Sequence, residues 1–561
     1  MKRLFFLSLL SITSLFSKAQ SYNGYTLYAQ QNGTTAYLVD SNAATTYHSW
    51  TGLGTSLGYS AHLEPGGVLI RAAKATGVSF SGGPICGKIT RHDYNGNLLW
   101  NYDYSTTNYC SHHDICPMPN GNVLVIAYER RTSAEVTAMG GNSAIEMWPD
   151  KIVEIQPTGA TTGTVVWEWK AWDHLMQNVD AAKPNYVTSL VNNPQLLNIN
   201  YKQTKDWMHM NGVDYNPILD QIAFSSHNLN EWYIIDHSTT TAEAASHSGG
   251  NSGKGGDILY RWGNPAAYGA TGTQILDVTH DAHWIPEGVP NAGRLAGFNN
   301  KGVSSSQSAA DEIITPINGY NYNITLGQAY APSTYTLRIP ANGYSSNMGS
   351  TQQLPNGNSL ICIATSGKFY EVTAANPTVA LWTKTVTGGS IAQAHKYDLC
   401  YILNAPPAIP TITLSGSILQ SSSATTYQWY LNGVLISGAT SQTYTPSQSG
   451  VYVVRITDSN GCVYQYSTGY KYTATATGVS TIDFSDKITV FPNPTNGSIT
   501  IEDNNMFGKH FSVNMIDSYG RVVRTFWNSR KIDVSDLSNG LYTVQLISEN
   551  QSATKKIVLN K

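Results

Sequence analysis

The stretch "HHDICPMPNGNVLVIAYE", residues 112–129, decides the fold. Two adjacent histidines lead into a Pro-Asn-Gly turn, and a run of β-forming residues follows it. "DKIVEIQPTG" (150–159) and "TVVWEWKAW" (164–172) then add two more strand patterns, making a unit of four short strands. The unit recurs as "STQQLPNGNSLICIATSGKFYEVT" (350–373) with "TVALWTKTV" (378–386), and as "AHLEPGGVLIRA" (61–72) with "GKITRHDYNGNLLWNYDY" (87–104). Two further copies are "HMNGVDYNPILDQIAFSSHNLNEWYIID" (209–236) with "DILYRWGNP" (257–265), and "HDAHWIPEGVPNAGRLAGFNN" (280–300) with "DEIITPI" (311–317). Two leftover pieces, residues 25–52 and 392–404, are each too small for a unit but together supply a sixth. Four-stranded units arranged radially and closed by joining the two ends of the region bury or shorten their sheet edges. A six-bladed β-propeller over residues 21–404 is therefore expected.

Composition agrees with an all-β chain. Gly (49), Tyr (35) and Trp (13) are abundant in the 561 residues, and sustained helical periodicity is nearly absent. With 33 Lys+Arg against 36 Asp+Glu, and only 12% charged residues, there is no broad basic field, so no nucleic-acid partner is expected. Residues 1–20 have the basic start, apolar core and short polar end of a secretory signal peptide. No later segment approaches the apolar length of a membrane span, so no stable transmembrane segment is expected. The six cysteines lack zinc-finger spacing and read as structural thiols or disulfides, with Cys362 and Cys400 as the expected pair.

Beyond residue 404 the repeat stops. Residues 407–474 carry a Trp on an early strand, a Tyr-containing late strand and closely spaced turns, the pattern of an immunoglobulin-like sandwich. The lone Cys462 cannot supply that fold's inter-sheet disulfide. Residues 475–485 form a small polar linker, and 486–561 a compact β-sandwich. Within it "FPNPTNG" (491–497), "DSYGRVV" (517–523), "LSNGLYTVQL" (537–546) and "KKIVL" (555–559) resemble the C-terminal sorting domain of type IX secretion substrates. That resemblance implies the type IX machinery as a partner, and release or anchoring at the outer surface.

Aligning the blades on their first turn isolates candidate chemistry. His113 lies six residues before Pro119 and His280 six before Pro286; His209 opens its strand eight before Pro217. The first strand of each blade lines the propeller channel, so three imidazoles are expected at one mouth. "GYSAHLEP" and "GSTQQLP" show that the architecture does not require histidine there. His112 is the out-facing neighbour of His113. Asp114 and Asp281 follow their histidines and alternate to the opposite face. Three imidazoles suit a zinc site with an open position, or anion chemistry in which one ring attacks and the others donate hydrogen bonds. The residues alone leave both open.

"HHDICPMPNGNVLV", "DWMHMNGVDYNP", "DQIAFSSHNLNEWYIID", "ILYRWGNP" and "THDAHWIPEG" resemble the bacterial arylsulfate sulfotransferase family over most of residues 60–300. The resemblance implies a catalytic six-bladed propeller that moves a sulfuryl group from a phenolic sulfate donor to a phenol acceptor through a sulfohistidine, without a nucleotide donor. It implies His280 as nucleophile, with His113, His209 and Asn211 in support. His227 stands where the family commonly has arginine, so a titratable ring replaces a permanent cation. His112, Arg261, Trp207 and Trp284 are the expected substrate-binding residues, weighed against structural roles for Arg261 and the tryptophans. No metal or cofactor is expected. A hydrolase using the histidines, metal-dependent or not, and a non-catalytic binding or adhesion propeller are the alternatives.

Overall fold

The computed structural model describes residues 20–373, 379–474 and 482–561, apart from 505, 509, 510, 549 and 550. The expected signal peptide, except Gln20, and most of the expected linker lie outside the described residues. The chain divides into two compact units between Tyr472 and Thr473.

The first unit holds six four-stranded antiparallel sheets, the blades of a propeller. Blades 1 to 5, in chain order, begin with the inner strands Leu57–Glu64, Tyr109–Pro117, Met210–Asn216, Thr279–Trp284 and Ser350–Gln353. Blade 6 is composite. Its inner strand Ala394–Tyr397 pairs with Tyr25–Ala29 from the start of the region, in register from Tyr25↔Tyr397 to Tyr28↔Ala394. Blade 6 thus rests on backbone hydrogen bonds between distant parts of the chain, which tie the start of the region to its end.

Blade 2 shows why these sequences form these strands. Val123–Glu129 reads as a continuous apolar run because neighbouring blades cover both its faces, and all but Glu129 are buried. Its outer strand Thr162–Lys170 leaves Val165 and Val166 exposed. Blade 4 departs from the simple repeat. Its fourth strand is Leu337–Pro340, reached only after a small hairpin of Ile317–Asn318 and Asn321–Tyr322. With four residues and a terminal proline, it carries little strand signal.

Two sheets follow within the same unit, one from Ile412–Ser415, Ile418–Ser421 and Thr443–Tyr444, the other centred on Tyr427–Leu431 and Gly450–Thr457. They close over buried Trp429, Leu419, Tyr452 and Val454. Glu287 of blade 4 accepts hydrogen bonds from Tyr430 and, at 2.6 Å, from Arg455 Nη1. Gln465 Nε2 donates to Pro119 O of blade 2 at 2.8 Å.

The disulfide joins Cys400 to Cys462, which corrects the expected Cys362–Cys400 pair. Cys362 sits inside the strand Ser359–Ile363, buried in a blade core as a free thiol. Cys400 instead lies on the short helix Leu399–Leu403 beyond the last inner strand, within reach of Cys462. The second unit contains a five-stranded and a three-stranded sheet around Ile499, Val513, Leu546 and Ile557. Among the described residues no helix is long and apolar enough to cross a membrane.

Candidate active site in the propeller channel

Backbone irregularity places the candidate side chains. The inner strand of blade 2 loses register between Ser111 and Ile115, where three residues stand opposite one, and His113 takes a left-handed φ of 51°. Blade 3 has a one-residue bulge at Asn211, with His209 at φ 52° just before the strand, and blade 4 shifts between His280 and His283. Bulges re-aim side chains that strict alternation would send to one face or the other. Counting six residues back from each turn proline gives Tyr59, His113, Asn211 and His280. Asn211, rather than His209, therefore holds the register of His113 and His280.

Four imidazoles stand side by side. Ring centroids are 4.5 Å apart for His113 and His209, 4.9 Å for His209 and His227, and 5.6 Å for His227 and His280. Tyr59 of blade 1 meets the His113 ring edge-on at 5.0 Å. Three of the rings are fixed through Nδ1. His209 Nδ1–H donates to Asp206 Oδ2 at 2.7 Å and His227 Nδ1–H to Asn228 Oδ1 at 2.7 Å. His113 Nδ1 lies 2.7 Å from His112 Nδ1, and His112 Nε2 lies 2.9 Å from Asp150 Oδ1, so a chain of hydrogen bonds runs from His113 to a buried carboxyl. The Nε2 atoms of His113, His209 and His227 have no hydrogen-bond partner among the described residues.

His280 is held at both nitrogens. Asn300 Nδ2 donates to Ser345 O and Met348 O, so its Oδ1 is the acceptor that takes His280 Nδ1–H at 2.8 Å. The Nε2 lone pair then accepts the Met348 N–H at 3.0 Å. Asn211 is likewise engaged: its Nδ2 donates to Thr279 O at 2.8 Å and its Oδ1 accepts from Ser225 Oγ at 2.6 Å, which locks blade 3 against the residue before His280.

Burial disfavours the charged form of His112, His113, His227 and His280. Burial, reinforced by the other imidazoles, holds His113 and His280 well below the ordinary histidine range. Burial and then the His209 ring push His227 down to about 4, and burial pushes His112 down to about 3. Burial alone would raise the Asp206 carboxyl, but the His209 hydrogen bond and nearby imidazoles outweigh it and leave Asp206 below the usual carboxylate range. A neutral imidazole keeps the lone pair a nucleophile needs.

Three of the expected residues lie elsewhere. Arg261 is buried in the outer strand Tyr260–Trp262, where Nε and Nη2 donate to Glu231 at 2.8 and 2.5 Å and Nη1 to Leu196 O at 2.9 Å. Its guanidinium is committed to the blade, because an unpaired Glu231 would be costly there. Trp207 is fully buried in the core between blades 2 and 3, with Nε1 donating to Tyr201 O. Trp284 lies at the far end of its inner strand from His280, lining a separate cavity of about 780 Å³ with His62, Asp114 and Tyr397. His112 is buried behind His113. Conversely, Asp206, Asp150, Asn300, Asn228 and Met348 touch the rings and were not singled out from sequence. Asp206, three residues before His209 in "DWMH", and Asn228, next to His227 in "SSHN", are local to their rings in the sequence.

Residues 8–392 match the arylsulfotransferase (ASST) family. The chain belongs to that family. Family membership supports sulfotransferase chemistry on phenolic substrates for the propeller that carries the four imidazoles. Residues 489–560 match the secretion system C-terminal sorting domain, which assigns this arylsulfotransferase family member to type IX secretion and to the medium or the cell surface. No curated protein matches the chain. Similar solved structures include a protein of unknown function from Bacteroides caccae, at 10% identity and TM-score 0.37, covering 67% of this chain and 98% of its own. A protein from Lactobacillus plantarum matches at 11% identity and TM-score 0.35, covering 67% and 99%. A putative 6-phosphogluconolactonase from Bacteroides fragilis matches at 8% and 0.34, also covering 67% and 99%.

Proposed function

We propose that the protein is an exported aryl-sulfate sulfotransferase working by a ping-pong mechanism with a sulfohistidine at His280. The observation that carries this reading is the row of four imidazoles, three of them anchored through Nδ1 with Nε2 unpartnered. Nε2 of His280 gives up its contact with the Met348 N–H and forms a bond to sulfur as the bond from sulfur to the aryl oxygen breaks. The leaving phenolate takes the Nε2 proton of neutral His113, whose Nδ1 is resupplied through His112 from the Asp150 carboxyl, which burial pushes toward its protonated form. The sulfuryl oxygens are held by Nε2–H groups of His209 and His227, which must each acquire a proton to donate. An acceptor phenol then attacks sulfur, the N–S bond breaks, and the phenol's proton passes to an imidazole.

The channel sequences within residues 21–404 carry this chemistry, and residues 407–474 form an immunoglobulin-like module. Buried Trp429 between its two sheets supports the latter. The signal peptide at 1–20 starts export, and the domain at 486–561 completes it.

The test is release of p-nitrophenol from p-nitrophenyl sulfate by the mature chain, with and without a phenol acceptor and a chelator. Acceptor-dependent, chelator-resistant release that disappears in His280→Ala supports transfer. Chelator-sensitive release without acceptor overturns it in favour of a metallohydrolase, and no turnover of any aryl sulfate in favour of a binding protein.

A further inference from the structure

A second histidine cluster lies away from the channel, at the rim between blades 2 and 3. His174 follows the outer strand Thr162–Lys170 on a short 3-10 turn, Ala171–His174. His247 and Asp257 belong to the glycine-rich connection "SHSGGNSGKGGD", residues 246–257, which leads into the outer strand Tyr260–Trp262. One nitrogen from each histidine and one Asp257 oxygen all lie within 4.8 Å of one another.

The hydrogen-bond pattern at His174 is the decisive observation. Its Nε2 lies 2.8 Å from Ala244 O, and a carbonyl can only accept, so Nε2 carries hydrogen. Its Nδ1 faces Asp257 Oδ1 at 3.0 Å, and a carboxylate is also an acceptor. A neutral ring would therefore set a bare lone pair against a carboxylate oxygen. Either His174, with no exposed surface, is held as a buried cation, or something electron-poor replaces the proton on Nδ1. His247 Nδ1 approaches the same Asp257 oxygen at 2.7 Å, adding a second nitrogen donor.

A ring that donates its far N–H to a backbone carbonyl and turns its other nitrogen toward a carboxylate and a second imidazole is oriented as a metal ligand. We propose that His174, His247 and Asp257 bind a zinc ion, with water in the fourth position. Two imidazoles and one carboxylate suit Zn²⁺, with bonds of about 2.0–2.2 Å and tetrahedral ligand separations of roughly 3.3 Å. The 2.7 and 3.0 Å separations reach that spacing with small side-chain shifts.

The surroundings are prearranged for this. Trp169 stacks on His174 with ring planes 4° apart and donates from Nε1 to Gly256 O at 2.7 Å. A Cβ at Gly256 would meet Ala244 O at 1.9 Å and His174 Nε2 at 2.6 Å, so only glycine lets the connection approach the ring this closely. The His247 side chain is 63% exposed, which leaves solvent access for the water ligand. The ion would pin a long glycine-rich connection to the propeller rim and take no part in transfer.

Mature full-length protein stripped by chelator and then titrated calorimetrically with Zn²⁺ tests the site. About one zinc should bind per chain and raise Tm, and Co²⁺ in its place should give tetrahedral visible absorption. His247→Ala removes an exposed ring and Asp257→Asn retains shape while donating to His174. Each should weaken zinc affinity by at least tenfold and abolish the Tm rise, leaving the transfer rate unchanged. Wild-type protein with no saturable zinc uptake overturns the proposal. So does undiminished uptake in both variants, which would move the metal to other ligands.

Discussion

Blades 4 and 5 are neighbours with the same four-stranded plan, yet one delivers an imidazole to the channel and the other delivers backbone. In blade 4 the inner strand shifts register after His280, with Asp281 at φ 59°. In blade 5 the inner strand pairs without interruption from Ser350↔Cys362 to Gln353↔Ser359. The place six residues before its turn proline is Gly349, at φ 120° and so close to blade 4 that a Cβ would meet Phe298 Cε1 at 2.4 Å. Just before it, the Met348 N–H reaches His280 Nε2. A repeated fold thus acquires a site by breaking its repeat: a bulge aims the side chain in one blade, and a close glycine brings in the supporting amide from the next.

The largest effect should come from the side-chain half of that pair. His280→Ala is expected to lower kcat for p-nitrophenyl sulfate turnover by about 10⁴-fold or more, with the fold intact by circular dichroism. Retention of substantial acceptor-dependent activity would move the nucleophile to another ring. Next come the rings that hold the sulfuryl oxygens. His209→Ala should cost on the order of 10²–10³-fold in kcat. Asp206→Asn, which only loosens the His209 ring, should cost about 10–100-fold and alter the pH profile. Equal losses would make Asp206 more than a positioning residue.

His227 supplies a finer test. Its ring titrates near 4, so it is protonated below that pH and neutral above it. Since only the protonated ring donates through Nε2, donor affinity should fall as pH rises from about 4, with KM rising accordingly. His227→Arg restores a permanent cation and should flatten that rise in a KM-against-pH series. The smallest effect tests the glycine half of the comparison. Gly349→Ala should destabilise the propeller by about 1–3 kcal/mol in denaturant unfolding, because it combines a left-handed φ with the Phe298 clash. An unchanged midpoint would show that blade 5 tolerates a side chain there.

What the sequence made legible follows from the range of the interactions. The Pro-Asn-Gly turns and the apolar runs behind them are local, so five blades and the composite sixth could be read directly. His113 and His280 were found by counting back from a proline, a device that also marks Asn211 and Tyr59. His209 and His227 are fixed by neighbours within three residues, Asp206 and Asn228, but other partners come from distant chain: Asp150 reaches His112 across 38 residues and Asn300 reaches His280 across 20. No pattern near either histidine announces them. Arg261 and Trp207 stay open between two roles in sequence for the complementary reason, since a guanidinium or an indole looks the same there whether a blade core or a channel holds it. The Cys400–Cys462 bridge joins segments 62 residues apart, beyond any spacing rule.

Which atom holds the sulfuryl group between donor and acceptor decides the mechanism. Protein incubated with an excess of p-nitrophenyl sulfate, without acceptor, quenched under alkaline conditions and digested should show a sulfuryl mass increment on the peptide containing His280, and adding phenol before quenching should remove it. An increment on a peptide carrying His113, His209 or His227 instead, or turnover with no protein-bound sulfuryl group, would contradict the mechanism.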